Sequence, residues 1–273
     1  IKARGKLICG VNPSLLGFSV QNASGQWVGI DADFCRAVAA AVFADATKID
    51  FLPLETNEPF EALKAGKIDI LSRNTTWTMN REVEMGLEFA GVLYFDGQGF
   101  MTSDERGLVS AQQLAGAKVC VEQGTTSEDN MAFYFKTHQI DVDMKSFPTR
   151  AELVKAYASG SCDAYSGDRS SLFADRAGFT EPAKHAVLPE VISKEPLGPV
   201  VLRGDRQWSE IVKWTLAGLI NAEEVGLSKA SSASAEPPKG EVQRLLDGAG
   251  HNGEQLGLSR TWLKDAVAAV GNY

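Results

Sequence analysis

No stretch of this chain approaches the roughly 18 consecutive apolar residues that a membrane-spanning helix needs. It has no block of Lys or Arg either: 27 basic residues face 35 acidic ones, for a net charge of −8. A general negative field without a basic patch argues against nucleic acid as the main partner. Histidine is scarce, with only His138, His185 and His251. None lies near a cysteine in sequence, and the four cysteines, Cys9, Cys35, Cys120 and Cys162, form no C-x-x-C pair. A zinc site is therefore not expected, and no other metal or cofactor is called for. A Gly-x-Ser-x-Gly elbow and a phosphate-binding Walker loop are both missing, which removes two common enzyme classes. The sequence begins at Ile1 without a leader pattern. The expectation is either a cytosolic protein or one whose targeting segment has been removed.

What is present fits an ordinary globular chain long enough for two domains, with 44% hydrophobic and 23% charged residues over 273 positions. Residues 6–11 (KLICGV), 48–54 and 67–72 read as strands. Residues 31–43 have helical spacing, and 59–65 read as a short helix closed by Gly66. The segment 12–29 reads as a loop with a turn at Asn22-Ala23-Ser24-Gly25. The pattern then restarts, with strands at 117–122, 142–147 and 162–166 and helices at 127–138 and 150–159. Two β-α-β-α-β units imply two mainly parallel sheets flanked by helices. The Gly-containing segments Tyr94–Met101 and Ser193–Val200 bracket the second unit and read as crossovers. This gives lobe 1 from residues 1–97, lobe 2 from 98–194 and a return to lobe 1 over 195–273. Within the return, 207–225 and 262–270 read as helices and 228–239 (SKASSASAEPPK) as a solvated loop. Four cysteines allow three pairings. The local pattern, Cys9–Cys35 with Cys120–Cys162, places one disulfide in each unit and is the expectation, with free buried thiols as the alternative.

The run Arg73-Asn74-Thr75-Thr76-Trp77-Thr78-Met79-Asn80-Arg81 lies between the strand 67–72 and a helix read as starting at Glu82. Small hydrogen-bonding residues and backbone N–H groups at a strand-to-helix junction make an anion site. An Arg one turn away can grip a carboxylate with two parallel bonds. The plainer reading is a capped helix with a surface Arg. Thr126, in Gln-Gly-Thr-Thr, offers a hydroxyl from the second unit, and Asp168, after the strand 162–166, offers an acceptor suited to an ammonium. A carboxylate site plus an ammonium site describes an α-amino acid. Ligands of open α/β sheets bind beyond the C-terminal ends of the strands, where these turns fall.

At these residues the chain resembles the periplasmic amino-acid-binding proteins of ABC transporters (solute-binding protein family 3). The match is carried by Gly29-Ile30-Asp31-Ala32-Asp33, Leu63-Lys64-Ala65-Gly66-Lys67-Ile68-Asp69, Thr78-Met79-Asn80-Arg81, Gln123-Gly124-Thr125-Thr126 and Asp163-Ala164-Tyr165-Ser166-Gly167-Asp168, in order along nearly the whole chain. Within the family it looks most like the general L-amino-acid-binding branch, through Ser72–Thr78, Tyr94–Met101, Ile192–Pro199 and Ile211–Leu216. That branch commonly continues some tens of residues past Tyr273.

The resemblance implies a type II periplasmic binding protein fold, two α/β lobes joined by two hinge crossovers. It implies a monomer in the periplasm, its signal peptide removed, that closes over a free L-amino acid and delivers it to the permease of an ABC transporter. It places Asn74, Thr76 and Arg81 at the α-carboxylate with Thr126 helping, Asp168 at the α-ammonium, and Leu15, Leu16 and Phe18 along the side-chain pocket with Trp77 nearby. Many relatives carry an aromatic residue near Leu15, so its absence weighs against a flat or cationic side chain. Relatives that take acidic amino acids often have an Arg directly before the position of Phe60. Pro59 stands there and weighs against glutamate or aspartate, with Arg73 as a replacement charge.

Trp77 and Phe18 also fit as core residues, and Asp33, Asp69 and Asp163 as local caps or ion-pair partners. Two other functions compete: a periplasmic enzyme of the cyclohexadienyl dehydratase kind, and a ligand-sensing domain. An enzyme needs a general acid or base. No His lies near the site motifs, and only Asp96 and Glu122 are available for recruitment.

Overall fold

The apolar run LICGV forms β1 (Leu7–Val11), an inner strand of a five-stranded sheet in the computed structural model, which describes residues 1–234 and 238–273. β5 (Ile49–Pro53) and β6 (Ile70–Leu71) flank it in parallel. β15 (Val200–Leu202) runs antiparallel between β6 and β7 (Leu87–Phe89), giving the order β5-β1-β6-β15-β7. Successive side chains of a strand point to opposite faces. Leu7, Cys9 and Val11 accordingly pack into one core with Ala37, Val38, Val212, Leu216 and Trp262. These come from α1 (Ile30–Phe43), α7 (Arg206–Glu224) and α10 (Trp262–Val270). The other face is covered by α2 (Pro59–Lys64), with Leu54, Leu63, Ile68, Leu71, Leu87 and Phe89 between. This unit comprises Ile1–Leu54, Pro59–Leu93 and Gly198–Tyr273.

The second unit, Glu55–Glu58 with Tyr94–Leu197, repeats the plan. β10 (Lys118–Glu122) pairs in parallel with β11 (Asp143–Phe147) and β12 (Ala164–Asp168), and β9 (Gln98–Ser103) runs antiparallel between β12 and β13 (His185–Val187). Helices α4 (Thr126–His138), α5 (Arg150–Ala158) and α6 (Arg169–Gly178) follow β10, β11 and β12. A separate ribbon joins β8 (Tyr94–Asp96) to β14 (Glu195–Leu197), the strands next to the points where the chain enters and leaves this unit. In both five-stranded sheets the fourth strand alone is reversed. Both β-α-β-α-β readings and the mainly parallel sheets are therefore present. Each unit also holds its own disulfide: Cys9 of β1 is bonded to Cys35 of α1, and Cys120 of β10 to Cys162 just before β12. Closing loops of 26 and 42 residues restricts the unfolded chain by roughly 3–4 kcal/mol each in the chain-entropy account.

Several local expectations need correction. The segment 12–29 is not a bare loop: β2 (Ser14–Leu15), β3 (Ser19–Gln21) and β4 (Trp27–Val28) form an antiparallel ribbon. Its turn is the expected one, with Asn22 Oδ1 accepting from the N–H groups of Ser24 and Gln26. The helix expected from Glu82 begins at Met79 as α3 (Met79–Val83), because Thr78 caps it by accepting the Arg81 N–H at 3.2 Å. Arg81 is thus inside the helix. The strand expected over 67–72 is reduced to Ile70 and Leu71. The solvated loop 228–239 opens with a helical turn, α8 (Lys229–Ser232), capped by Ser228; its residues 235–237 lie outside the described residues. Helix α9 (Gly240–Gln255) has no counterpart in the sequence pattern. A Cβ on its Gly253 would lie 2.3 Å from Trp262, so this residue is glycine for close packing despite the cost to helix propensity. Gly198, one residue past β14, meets a similar demand: a Cβ there would lie 1.9 Å from the Gly91 carbonyl oxygen.

In the second unit, the Tyr157 hydroxyl of α5 and His185 Nδ1 share a hydrogen bond at 2.9 Å, and Phe179 lies against the imidazole. Burial holds His185 below its ordinary value, reinforced by the Arg176 charge and opposed by Glu181. Burial also pushes the Tyr157 phenol well up, which keeps it protonated. A histidine with a depressed folded pKa contributes stability that is present above its unfolded value and lost as pH falls through the folded one. Thermal melts of the wild type should therefore fall as pH drops below 6.5, the unperturbed value. His185→Phe, which cannot take a proton, should show a smaller drop over that range. Equal drops in the two proteins would remove His185 from the pH response.

Candidate functional site

The turn after β6 is built around one buried carboxylate. Asp31 is the second residue of α1 and is 3% exposed. Its Oδ1 accepts from the Ser72 hydroxyl at 2.7 Å, and its Oδ2 from the Asn74 N–H at 2.8 Å. Burial pushes its carboxyl above the ordinary value, against the pull of those two donors and of the Arg73 charge. The clamp holds Asn74 in the left-handed region, at φ 41°, where Asn is better tolerated than most residues. The Asn74 side chain is fixed too, its Oδ1 accepting from Asn12 Nδ2 at 3.2 Å. Asp31 stands within a family-matching segment, but nothing in the sequence assigns it this task. The nearest signal is an acidic residue in the first turn of a helix, which is common.

Beyond Thr76 the chain turns into α3 at Met79. Thr76 is buried, and its carbonyl accepts from Arg81 Nη1 at 2.8 Å. The Arg81 guanidinium also lies over the Phe60 ring, 5.1 Å from its centre, a cation–π contact. A guanidinium presents its donors in a rigid fork. One anchor in its plane and one on its face fix the direction of that fork. The structure thus brings Asn74, Thr76 and Arg81 together on one turn, with Asp31 and Phe60 as unforeseen supports. Arg73 donates through Nε to the Leu54 carbonyl at 2.9 Å.

Among the residues expected along a pocket, Leu15 in β2 is 1% exposed, Phe18 is buried and Leu16 is exposed. Trp77 is 37% exposed. It stacks on Phe89, with ring centres 5.5 Å apart and nearly parallel planes, and its Nε1 donates to Glu82. Asp33 pairs with Arg36, Asp69 with Arg4 and Asp163 with Arg106, as local partners.

In the second unit, Thr126 is the first residue of α4, just inside the Thr125 cap. Its hydroxyl donates to Glu195 Oε2 at 3.2 Å. Asp168 closes β12 and occupies the cap position of α6, yet its side chain makes no capping bond. That task falls to Asp96, which accepts from the Ser170 N–H at 3.4 Å and from the Ser170 hydroxyl. Asp96 is therefore occupied, and Glu122 accepts from the Thr56 hydroxyl. His138 is bonded to the Tyr134 carbonyl and His185 to Tyr157. Among the described residues no group of three or more His, Cys, Asp or Glu is placed to hold a metal ion. No helix among them is long and apolar enough to cross a membrane. The set as a whole suits binding of a small charged molecule better than proton transfer.

Comparison with known proteins agrees with that chemistry. Residues 7–230 match the model of the bacterial extracellular solute-binding proteins, family 3. The general L-amino acid-binding periplasmic protein AapJ of Rhizobium johnstonii is 46% identical over 276 aligned positions, covering 100% of this chain and 81% of its own length. The glutamate/glutamine/aspartate/asparagine-binding protein BztA of Rhodobacter capsulatus is 44% identical, with 100% and 81% covered. A solved ABC-transporter periplasmic binding protein from Brucella ovis, with glutathione bound, superimposes with a TM-score of 0.93 at 46% identity, covering 100% of this chain and 86% of that one. The fold is accordingly that of the type II periplasmic binding proteins. The chain belongs to the bacterial extracellular solute-binding proteins, family 3.

Proposed function

We propose that this chain captures a free L-α-amino acid and delivers it to the permease of an ABC transporter, acting as a monomer in the periplasm after loss of a signal peptide. The observation that carries the reading is the anchored guanidinium of Arg81, held by the Thr76 carbonyl and the Phe60 ring beside the Asp31-clamped turn. In this reading Arg81, Asn74 and Thr76 take the α-carboxylate and Asp168 takes the α-ammonium. Thr126 adds a contact, and Leu15, Phe18 and Trp77 border the ligand side chain. The names of AapJ and BztA support a broad range that includes acidic and neutral amino acids. Pro59 removes one common source of positive charge for an acidic side chain, and Arg73 is the cation we assign in its place. Catalysis is not part of the proposal, because Asp96, Glu122, His138 and His185 are each held in a fixed structural bond.

A wider ligand class is favoured by the glutathione-bound relative. Glutathione is joined through the γ-carboxyl of its glutamyl unit, so that unit keeps a free α-ammonium and α-carboxylate. Arg81 and Asp168 would read that end as they read glutamate. Glutathione should therefore compete with L-glutamate in equilibrium dialysis of ligand-stripped protein, while glutathione acetylated on its α-nitrogen should not. Competition by both would place recognition elsewhere on the tripeptide.

Replacing Arg81 with Ala leaves a desolvated carboxylate without its main partner. We expect amino-acid binding to weaken by roughly 2–5 kcal/mol, the range for breaking a buried charged pair. Arg81→Lys should recover only part of this, since an ammonium lacks the planar fork. Calorimetry that puts Arg81→Ala within about threefold of the wild type, under 0.7 kcal/mol, would rule the assignment out.

A further inference from the structure

A cavity of about 440 Å³ opens in the first unit between α7, α9 and α10. None of the residues assigned above to the amino acid lines it. Its volume falls within the roughly 300–1,000 Å³ of small-molecule sites. The floor is apolar, made by Trp262 and Leu263 of α10, both buried. On one wall α7 presents Trp214, Gly218 and Asn221, and Trp214 is 49% exposed. On the other, α9 presents Arg244, Gly248 and Asn252, each one turn from the next. Residues at this spacing share a helix face.

The glycines of these walls differ in what they do. A Cβ on Gly218 would lie 2.7 Å from Leu263, and one on Gly250 would lie 2.6 Å from the Arg260 carbonyl oxygen. Like Gly253, these are glycine for close packing. Gly248 is not: nothing lies within 4 Å of its Cβ position, and its φ is not positive. A glycine inside a helix lowers stability relative to alanine, and neither packing nor backbone conformation requires one here. Its effect is to leave the middle of the α9 wall bare, where a ligand can approach the backbone closely. Charge indicates the kind of ligand. Arg244 makes no hydrogen bond or ion pair among the described residues. Glu210, the acid among the lining residues, is already paired with Arg206 at 2.8 Å. The cavity thus offers a cation for an anionic group and no uncommitted acid for an ammonium. A guanidinium grips a carboxylate through two parallel bonds, and an indole face takes a flat ring by stacking. We propose that this cavity is a second ligand site, for an aryl carboxylate. The ring sits on Trp262 and Leu263, against Trp214 and the bare backbone at Gly248, and the carboxylate meets Arg244. The proposal is independent of the roles given to Arg81 and Asp168.

Calorimetry of the ligand-stripped full chain tests the proposal, with cinnamate and its neutral analogue cinnamamide as probes. Cinnamate should bind with a dissociation constant below about 1 mM, in line with a ligand of its size. Saturating L-glutamine should leave that affinity within about twofold, since distant sites act independently. Cinnamamide should bind about tenfold more weakly, and Arg244→Gln should lower cinnamate to the level of the amide while leaving the amide within about twofold. Gly248→Leu fills the bare wall and should abolish binding of both probes. It should also raise the melting temperature, because leucine is the better helix former, and leave L-glutamine affinity unchanged. If Gly248→Leu does not fold, Trp214→Ala, which trims a half-exposed side chain, takes its place and should weaken both probes about tenfold. No binding of cinnamate at millimolar concentration would overturn the proposal. Competition by L-glutamine would overturn it too, by placing the probe in the amino-acid site. Equal binding of acid and amide would remove the carboxylate from recognition, and Gly248→Leu binding cinnamate as tightly as the wild type would place it outside the cavity; either result contradicts the proposal.

Discussion

Asp31 is the group on which the rest of the turn after β6 depends. A carboxylate removed from water is unfavourable unless donors replace the lost hydration. Here the donors are the Ser72 hydroxyl and the Asn74 N–H, so the cost of burial is offset only while the chain follows this path after β6. That path fixes Asn74 in a left-handed conformation and leads two residues later to Thr76, whose carbonyl orients Arg81. Because Asp31 also begins α1, the turn is fastened to the helix that Cys35 joins to β1. Disulfide, helix and turn form one continuous piece of the first unit.

The second unit solves the same problem with different parts. Its buried carboxylate, Glu195, lies on an exit strand and not on a helix, and it fastens the first turn of α4, just past the β10-to-α4 junction. In both units hydroxyl and amide donors satisfy the buried acid. Such a group fixes the direction of its neighbours' protons as well as their positions. It specifies which of them can accept and which must donate. Removing either acid would leave buried donors unsatisfied, a loss of roughly 1–3 kcal/mol per group, in addition to any loss of ligand.

The order of strands and helices was legible because both units obey simple period rules. LICGV, KVCVE and the Ala-rich stretch of α1 announce themselves through burial. The disulfide pairing followed from local clustering. The residue types and spacing of Arg81 and Asp168 mark them as candidates, and the structure adds the anchors that hold the Arg81 guanidinium. Other features were not legible, for physical reasons. Helix α9 hides behind glycines, at least one of which is there for close packing against Trp262. Arg81 falls inside α3 because Thr78 outcompetes later residues as the cap. The ribbon β2–β4 is too short and polar for alternation to register. Asp31, Phe60, Asp96 and Glu195 act through partners distant in sequence, which periodicity does not reveal.

We propose that both ends of an α-amino acid are read, the carboxylate through Arg81 and the ammonium through Asp168. The most direct test is calorimetry of ligand-stripped protein with L-glutamine, N-acetyl-L-glutamine and L-glutamine α-amide. Each blocked form deletes one charge and leaves the side chain intact. The account predicts binding of L-glutamine and a loss of more than about 100-fold for each blocked form, as expected when a buried charged group loses its partner. Binding of either blocked form within a few-fold of L-glutamine would contradict it, because recognition would then lie in the side chain and not in the zwitterion.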